Sequence, residues 1–230
     1  MIKRIHQKIL NENKKRLNRK YLTLNKQKYD KFSRKYKDYK NIKLHFGCGP
    51  RVLKGWINID LAFEPFEKYL KNYTDKFYPE SIRGNKNDFY AIDVTRIGIP
   101  LPDNSVNVIF HEDFLEHLNQ KDQIIFLTET LRVLKKESIH RINTPNLLNS
   151  MKENSNFSKG KIGIYEREWN KHRHLNVLTP KILEEMAKMI GYSKISFNKR
   201  DKSISKEIPL EYRPGDDRKE SGNIFADLIK

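Results

Sequence analysis

Two groups of residues in this chain have types and spacings that do chemistry. The first lies in "LHFGCGPRVLKGWINIDL", Leu44 to Leu61, where an apolar run stops at Gly47-Cys48-Gly49 and a second apolar run ends in Asp60. Glycines at the end of a strand let the backbone turn sharply and approach a ligand where a Cβ would clash. A carboxylate ending the next strand can accept hydrogen bonds from both hydroxyls of a ribose. Together they point to an adenosine-containing cofactor. A dinucleotide site would need a third glycine and an acid about 20 residues on. Here Val52 takes the third glycine's place and Asp60 follows Gly49 by only 11 residues, so a ligand with a ribose and no pyrophosphate fits better. Asp93, at the end of "FYAID", is placed to accept from the exocyclic amine of an adenine. Gly-x-Gly alone is equally compatible with a plain turn between strands.

The second group is "HEDFLEHL", with Asp113, Glu116 and His117 spaced i, i+3 and i+4. On a helix that spacing presents all three on one face. Imidazole and carboxylate groups serve as general bases, and as ligands they suit Mn²⁺, Fe²⁺ or Zn²⁺ better than Mg²⁺. His172 or His174, in the loop "YEREWNKHRHLNVLTP", could join them. The plainer role for Glu116 and His117 is hydrogen bonding at the start of a helix, and it is the preferred one; a metal is unassigned and secondary. The same loop offers Trp169 or Tyr165 to stack on a sugar or base and Arg167 or Arg173 to hold an anion, or else it is a solvent-facing connection.

The elements that must position these groups are short β-like runs alternating with helices. Strands are expected at Ile42–Phe46, Trp56–Ile59, Phe89–Ile92, Val106–Phe110, Ile139–Asn143, Lys194–Phe197 and Ile224–Ile229. Ile124, Leu127, Leu131 and Leu134 mark the buried stripe of one helix. Thr179 reads as the N-cap of another, with Pro180 at its first position, Ile182, Leu183, Met186 and Ile190 on its inner face and Gly191 as its stop. Between the last two strands, Asn198 to Gly222 is polar and turn-rich, so those strands pair antiparallel through a long loop.

Charge is concentrated at one end. Residues 1–40 hold 15 of the 46 Lys and Arg against Glu12, Asp30 and Asp38, within a total of +17. They read as a basic helical extension preceding a domain over 41–230. Its first reading is a helical arm packed by one face on its own domain; contact with nucleic acid or an anionic membrane surface is the alternative. The single Cys48 excludes an intramolecular disulfide and fits a reducing, cytoplasmic setting. The start Met-Ile-Lys-Arg runs into no apolar stretch, so neither a cleaved signal nor a membrane span is expected.

The series "LHFGCG", "GWINIDL", "LPDNSVNVIFHEDFLEHL", "LTETLRVLKK", "HRINTPNL", "HRHLNVLTPKILEEMAKMIGY" and "SGNIFADLIK" resembles, in order from Ile42 to Lys230, the class I S-adenosylmethionine-dependent methyltransferases. It looks closest to the "methyltransferase type 11-like" group, whose members often accompany glycan-biosynthesis enzymes. The resemblance implies an α/β, Rossmann-like sheet of seven strands, the last antiparallel, with helices on both faces. It implies that Gly47, Cys48 and Gly49 approach the methionine and ribose portion of S-adenosylmethionine and that Asp60, with Leu61, meets the ribose. It further implies that Asp93 and Val94 line an adenine pocket, and that His111 begins the loop facing the sulfonium. Departures are His45, where the wider superfamily often has an acid, and Lys136-Glu137-Ser138, where a Gly-Gly turn is usual. Asp113, Glu116 and His117 also resemble the Glu-x-x-Glu-His metal-binding segment of certain ubiquinone-pathway and small-RNA O-methyltransferases.

The expected activity is methylation of an oxygen on a sugar, glycan precursor or other small polar metabolite, with His117, His174 and Asp113 as catalytic candidates. RNA methylation, with the basic segment on phosphates, is one alternative. A cofactor-binding interaction protein without catalysis is the other.

Overall fold

The computed structural model describes residues 26–64, 78–152, 169, 172–211 and 220–230. Leu44, Phe46, Ile57, Ile59, Ile109 and Ile142 are the apolar positions that build its sheet, and every one is buried. The strands are β1 (Ile42–Phe46), β2 (Ile57–Asp60), β3 (Phe89–Ala91), β4 (Val106–Glu112), β5 (Leu134–Pro145), β6 (Lys194–Phe197) and β7 (Asn223–Ile229). They form one seven-stranded sheet in the order β3-β2-β1-β4-β5-β7-β6. The first five run parallel, and β7 lies antiparallel to both β5 and β6. The order reverses between β1 and β4. In open α/β sheets that reversal leaves a crevice at the carboxyl ends of the two strands, and this is where ligands bind. Here those ends are Gly47 and Asp113.

Alternation along β1 sends Leu44 and Phe46 to one face and His45 to the other. The first face is covered by α2 (Val94–Ile97), α3 (Gln120–Val133) and, after the short α4 (Leu147–Ser150), α5 (Pro180–Ile190); Phe126 and Leu127 of α3 and Leu183 and Met186 of α5 join the main core. On the opposite face Leu53, Trp56, Tyr78, Val108, Phe110 and Ile139 form a second core. Among the described residues this second face is covered by the 51–56 turn, the Tyr78 region with a short 3-10 turn at Glu80–Ile82, and parts of the segment 199–211.

Helix α1, residues 26–36, packs Phe32 and Tyr36 into the main core, where both rings meet Tyr90 of β3 at 4.8 and 5.7 Å. Lys35 Nζ donates to the Tyr90 hydroxyl at 2.7 Å, and burial pushes the Tyr36 hydroxyl pKa up. Within 26–36, then, the basic segment lies one face down on the domain; residues 1–25 fall outside the described set.

Capping sets the helix limits, at α5 as the sequence predicts. Asn119 accepts from Asp122 N at the start of α3, Thr179 from Ile182 N at the start of α5, and Gly191 ends α5 at φ +112°. The buried faces differ from expectation. In α3 the stripe is Gln123, Phe126, Leu127, Thr130 and Val133, while Ile124 and Leu131 are only partly buried and Leu134 already belongs to β5. In α5, Leu183, Met186 and Ala187 are buried and Ile182 is exposed. Apolar spacing alone missed these because buried polar residues share the stripe: Thr130 bonds to Tyr192, and Gln123 to two backbone carbonyls. At Lys136-Glu137-Ser138, within β5, Glu137 takes left-handed backbone at φ +63°. No helix among the described residues is long and apolar enough to cross a membrane.

Candidate functional site

The glycine turn follows β1 directly. Gly47 donates its N–H to Ile59 O at 2.9 Å, and both Gly47 (φ +58°) and Gly49 (φ +49°) take left-handed backbone that disfavours side chains. They are glycines for different reasons. A Cβ on Gly47 would lie 2.6 Å from the Phe114 ring, so the close approach at Gly47 is made by the protein itself. A Cβ on Gly49 would meet nothing among the described residues within 4 Å, so Gly49 borders open space there. Cys48 is buried between them.

Asp60 closes the other side. Its Oδ2 accepts from Gly49 N at 2.9 Å and its Oδ1 from Leu61 N at 2.7 Å, so the carboxylate is fixed by the turn it faces. Each oxygen keeps a further lone pair for a hydroxyl donor. Leu61 is exposed beside it. Open space at Gly49 and an oriented carboxylate at the end of β2 fit a ribose-bearing cofactor.

Two residues sit elsewhere than expected. His111 does not begin the loop: it is the sixth residue of β4, fully buried among Phe114, Phe126 and His140. Val94 is buried in the main core instead of lining a pocket. The Asp93 carboxylate caps α2, accepting from Thr95 N at 3.2 Å and Thr95 Oγ1 at 2.8 Å, with Arg96 Nε at 3.3 Å. His45, at the departure in strand one, is buried, with Nδ1 3.0 Å from Asn58 Oδ1 and its ring stacked on Phe110.

After β4 the chain reverses at Asp113, which is left-handed (φ +42°) and donates its N–H to Asn143 O at 2.9 Å. Leu115–His117 then form one 3-10 turn, so Asp113, Glu116 and His117 do not share a helix face. Glu116 points inward and is fully buried, while His117 points outward. What joins them is a distant loop. Leu175 N and Asn176 N both donate to the Glu116 carbonyl, at 2.7 and 3.2 Å. The Gln123 amide bridges Leu115 O and Asn176 O. This places His174 Nε2 3.9 Å from Glu116 Oε1, with its ring 4.9 Å from that of His117 and 5.6 Å from that of His172. Glu116, His117 and His174 offer ligand-type atoms within 4.8 Å of one another, a set able to hold a metal ion of the Mn²⁺, Fe²⁺ or Zn²⁺ type. Tyr165 and Arg167 fall outside the described residues; His172 and Arg173 are exposed.

Burial pushes the Glu116 carboxyl up to about 7, with the Asp113 charge adding to the rise; His174 and the 2.9 Å bond from Thr144 Oγ1 oppose it. A folded-state pKa above the unfolded value means the native state holds the proton more tightly. The stability this provides is complete below about pH 4.5 and disappears as pH rises through about 7. Glu116→Gln, neutral at every pH, should therefore gain on the parent by up to about 3 kcal/mol between pH 5 and 8. Urea midpoints at the two pH values test this, and a constant difference between the two proteins would refute it.

Sequence reasoning did not single out Gln123, although it offered His172 or His174 to Glu116 and His117, and the structure brings in His174. A glutamine on the buried side of an otherwise apolar stripe was the one available signal for Gln123.

The profile of the methyltransferase domain family matches residues 44–142. No curated protein matches the chain in sequence. A crystal structure of an S-adenosylmethionine-dependent methyltransferase from Archaeoglobus fulgidus is similar in fold at a TM-score of 0.50 and 16% identity, covering 90% of this chain and 94% of that one. A possible histamine N-methyltransferase from Thermotoga maritima reaches 0.47 at 14% identity, with 82% of each chain covered. The putative methyltransferase in complex with the Haloferax volcanii Trm112 activator reaches 0.48 at 14%, with 88% of each covered. The family match runs from β1 into β5, so residues 44–142 match the methyltransferase domain family, and beyond it the chain shares the fold of the Archaeoglobus fulgidus structure.

Proposed function

We propose that this chain is an S-adenosylmethionine-dependent methyltransferase that acts on an oxygen of a sugar, a glycan precursor or another small polar metabolite. The observation that supports it is the imidazole pair His117 and His174 beside the buried Glu116, where β4 ends next to the glycine turn. An oxygen nucleophile must lose a proton during transfer, and histidine is the residue that most often takes one.

Bound S-adenosylmethionine supplies a methyl group already activated on a sulfonium. This chain's residues hold and align the partners. Asp60 accepts the ribose hydroxyls on the lone pairs left free by Gly49 N and Leu61 N. Gly49 leaves room for the cofactor's approach, Gly47 and Cys48 complete the turn, and Asp93, fixed as a helix cap, stands at the adenine end. His117, exposed, takes the acceptor's hydroxyl proton on a ring nitrogen. His174 packs edge-on against it, and Asp113 adds negative charge at the reversal that begins the loop.

The test is calorimetric titration with S-adenosylhomocysteine, with NAD as a control ligand, followed by transfer of a labelled methyl group to a panel of sugars and nucleotide sugars. The parent should bind S-adenosylhomocysteine saturably and not NAD. Asp60→Asn and Asp60→Ala, checked for folding by circular dichroism, should bind on the order of 100-fold more weakly, because charge-assisted hydrogen bonds to both ribose hydroxyls are lost. Unchanged affinity in both variants would remove Asp60 from the site. Label appearing in RNA, and in no sugar, would overturn the acceptor class.

A further inference from the structure

Arg51 stands two residues after Gly49 and is almost fully buried. Its Nη1 donates to Glu112 Oε2 at 2.5 Å, and Glu112, equally buried, is the last residue of β4 before the Asp113 reversal. Its Nη2 donates to Leu210 O at 2.5 Å, in the connection between β6 and β7. The Arg51 N–H itself closes the glycine turn on Cys48 O at 2.9 Å. One guanidinium thus joins three segments: the glycine turn, the end of β4 and the β6–β7 connection.

Burying a charged pair is costly, and hydrophobic residues of similar volume often stabilise a fold as well or better. A planar fork that donates in two fixed directions does what an apolar side chain does not, which is to set the angle between the segments it joins. A second buried arginine provides the comparison. Arg141 anchors the same β6–β7 connection through Glu211, Lys199 O and Lys202 O, and makes no bond to the glycine turn.

We propose that Arg51 is a positioning residue for the cofactor: through Glu112 and Leu210 it holds the Gly47–Gly49 turn in register with the end of β4. It acts through the turn and touches no substrate. This rests on the reading of Gly49 and Asp60 as the cofactor's partners.

The test compares Arg51→Lys, which keeps the charge and loses the fork, with Arg141→Lys. Both are read by S-adenosylhomocysteine affinity and by hydrogen exchange of the peptide spanning the turn. Arg51→Lys should weaken affinity about tenfold and speed exchange at the turn by a similar factor. Arg141→Lys should lower the melting temperature while leaving affinity within about twofold of the parent. If Arg51→Lys does not fold, Glu112→Gln, which removes the charge and keeps an acceptor, takes its place under the same criteria. Parent-like affinity and exchange in the Arg51 or Glu112 variant would overturn the proposal. So would affinity falling in both arginine variants in step with their stability, since Arg51 would then be merely structural. Failure of the parent to bind S-adenosylhomocysteine would instead refute the underlying cofactor reading, and this inference with it.

Discussion

Replacing Arg141 with methionine should cost about 3–5 kcal/mol, the usual penalty for removing one partner of a buried charge cluster. Arg141 is completely buried within β5, on the face opposite α3. It binds Glu211 through two bonds of 2.9 and 2.6 Å, faces Asp227 at 3.5 Å, and lies 5.6 Å over the Phe225 ring. Without it two carboxylates share a dry site. Asp227 would keep its bonds from Asn198 Nδ2, Ser203 Oγ and Ile204 N. Glu211 would lose its cation. Burial already pushes the Glu211 carboxyl up against the opposing pull of Arg141, so in the variant it should rise further. The loss should accordingly be largest near pH 8 and shrink toward pH 5, where Glu211 can take a proton. Urea denaturation of both proteins at the two pH values measures this. A deficit below about 1 kcal/mol, or one independent of pH, would show that the cluster contributes little and that the segment 199–211 is held by other contacts.

Gly47→Ala and Gly49→Ala should separate folding from binding. Both positions are left-handed, which costs a residue with a Cβ about 1–2 kcal/mol. At Gly47 the new methyl also overlaps Phe114, whose ring packs on Phe126 at 5.0 Å and so has little room to withdraw. Overpacking of this kind adds about 1–3 kcal/mol, and the sum makes Gly47→Ala one of the most damaging single-methyl changes in the domain. Gly49→Ala carries only the backbone cost, but its methyl enters the open space that the proposed function gives to the cofactor. Thermal melts and S-adenosylhomocysteine titration on both variants should show a large fall in melting temperature with Gly47→Ala. Gly49→Ala should instead show a modest fall together with a loss of affinity. Equal effects on both readouts would mean that the two glycines serve one structural purpose.

How far the sequence revealed this molecule depended on the distance over which each feature is determined. The strands around Leu44, Ile59 and Ile109 were visible because β-branched and apolar runs between turn residues need no partner to be recognised. Thr179-Pro180 and Gly191 marked α5 because capping is decided within a turn of chain. The early part of β5, Leu134 to Ser138, did not look like a strand: lysines and a glutamate break its alternation, and only pairing with Val106 defines it. The spacing of Asp113, Glu116 and His117 suggested a helix face, but the left-handed backbone at Asp113 and a tighter turn took its place. His174 was, with His172, a candidate for the later histidine that the resemblance of Asp113, Glu116 and His117 to a metal-binding segment calls for. Its position beside Glu116 depends on Gln123 and on two amides of its own loop, a long-range arrangement with no local signature. Arg51 and Arg141 resembled ordinary surface cations in a chain rich in them. That each is buried against a carboxylate follows only from the folded sheet.

The strand order also bears on how the protein is made. β7 is the last of the seven strands to leave the ribosome, yet it occupies a place between β5 and β6. The parallel half of the sheet, β3 to β5, can assemble as it emerges. During that interval β5 presents an unpaired edge, and β6, whose neighbour among the described strands is β7 alone, lacks that partner. Open strand edges of this kind are where nascent chains stick to one another. Completion of the sheet is therefore a late event, and expression conditions that slow it, or that stall translation before Asn223, should favour aggregation over folding.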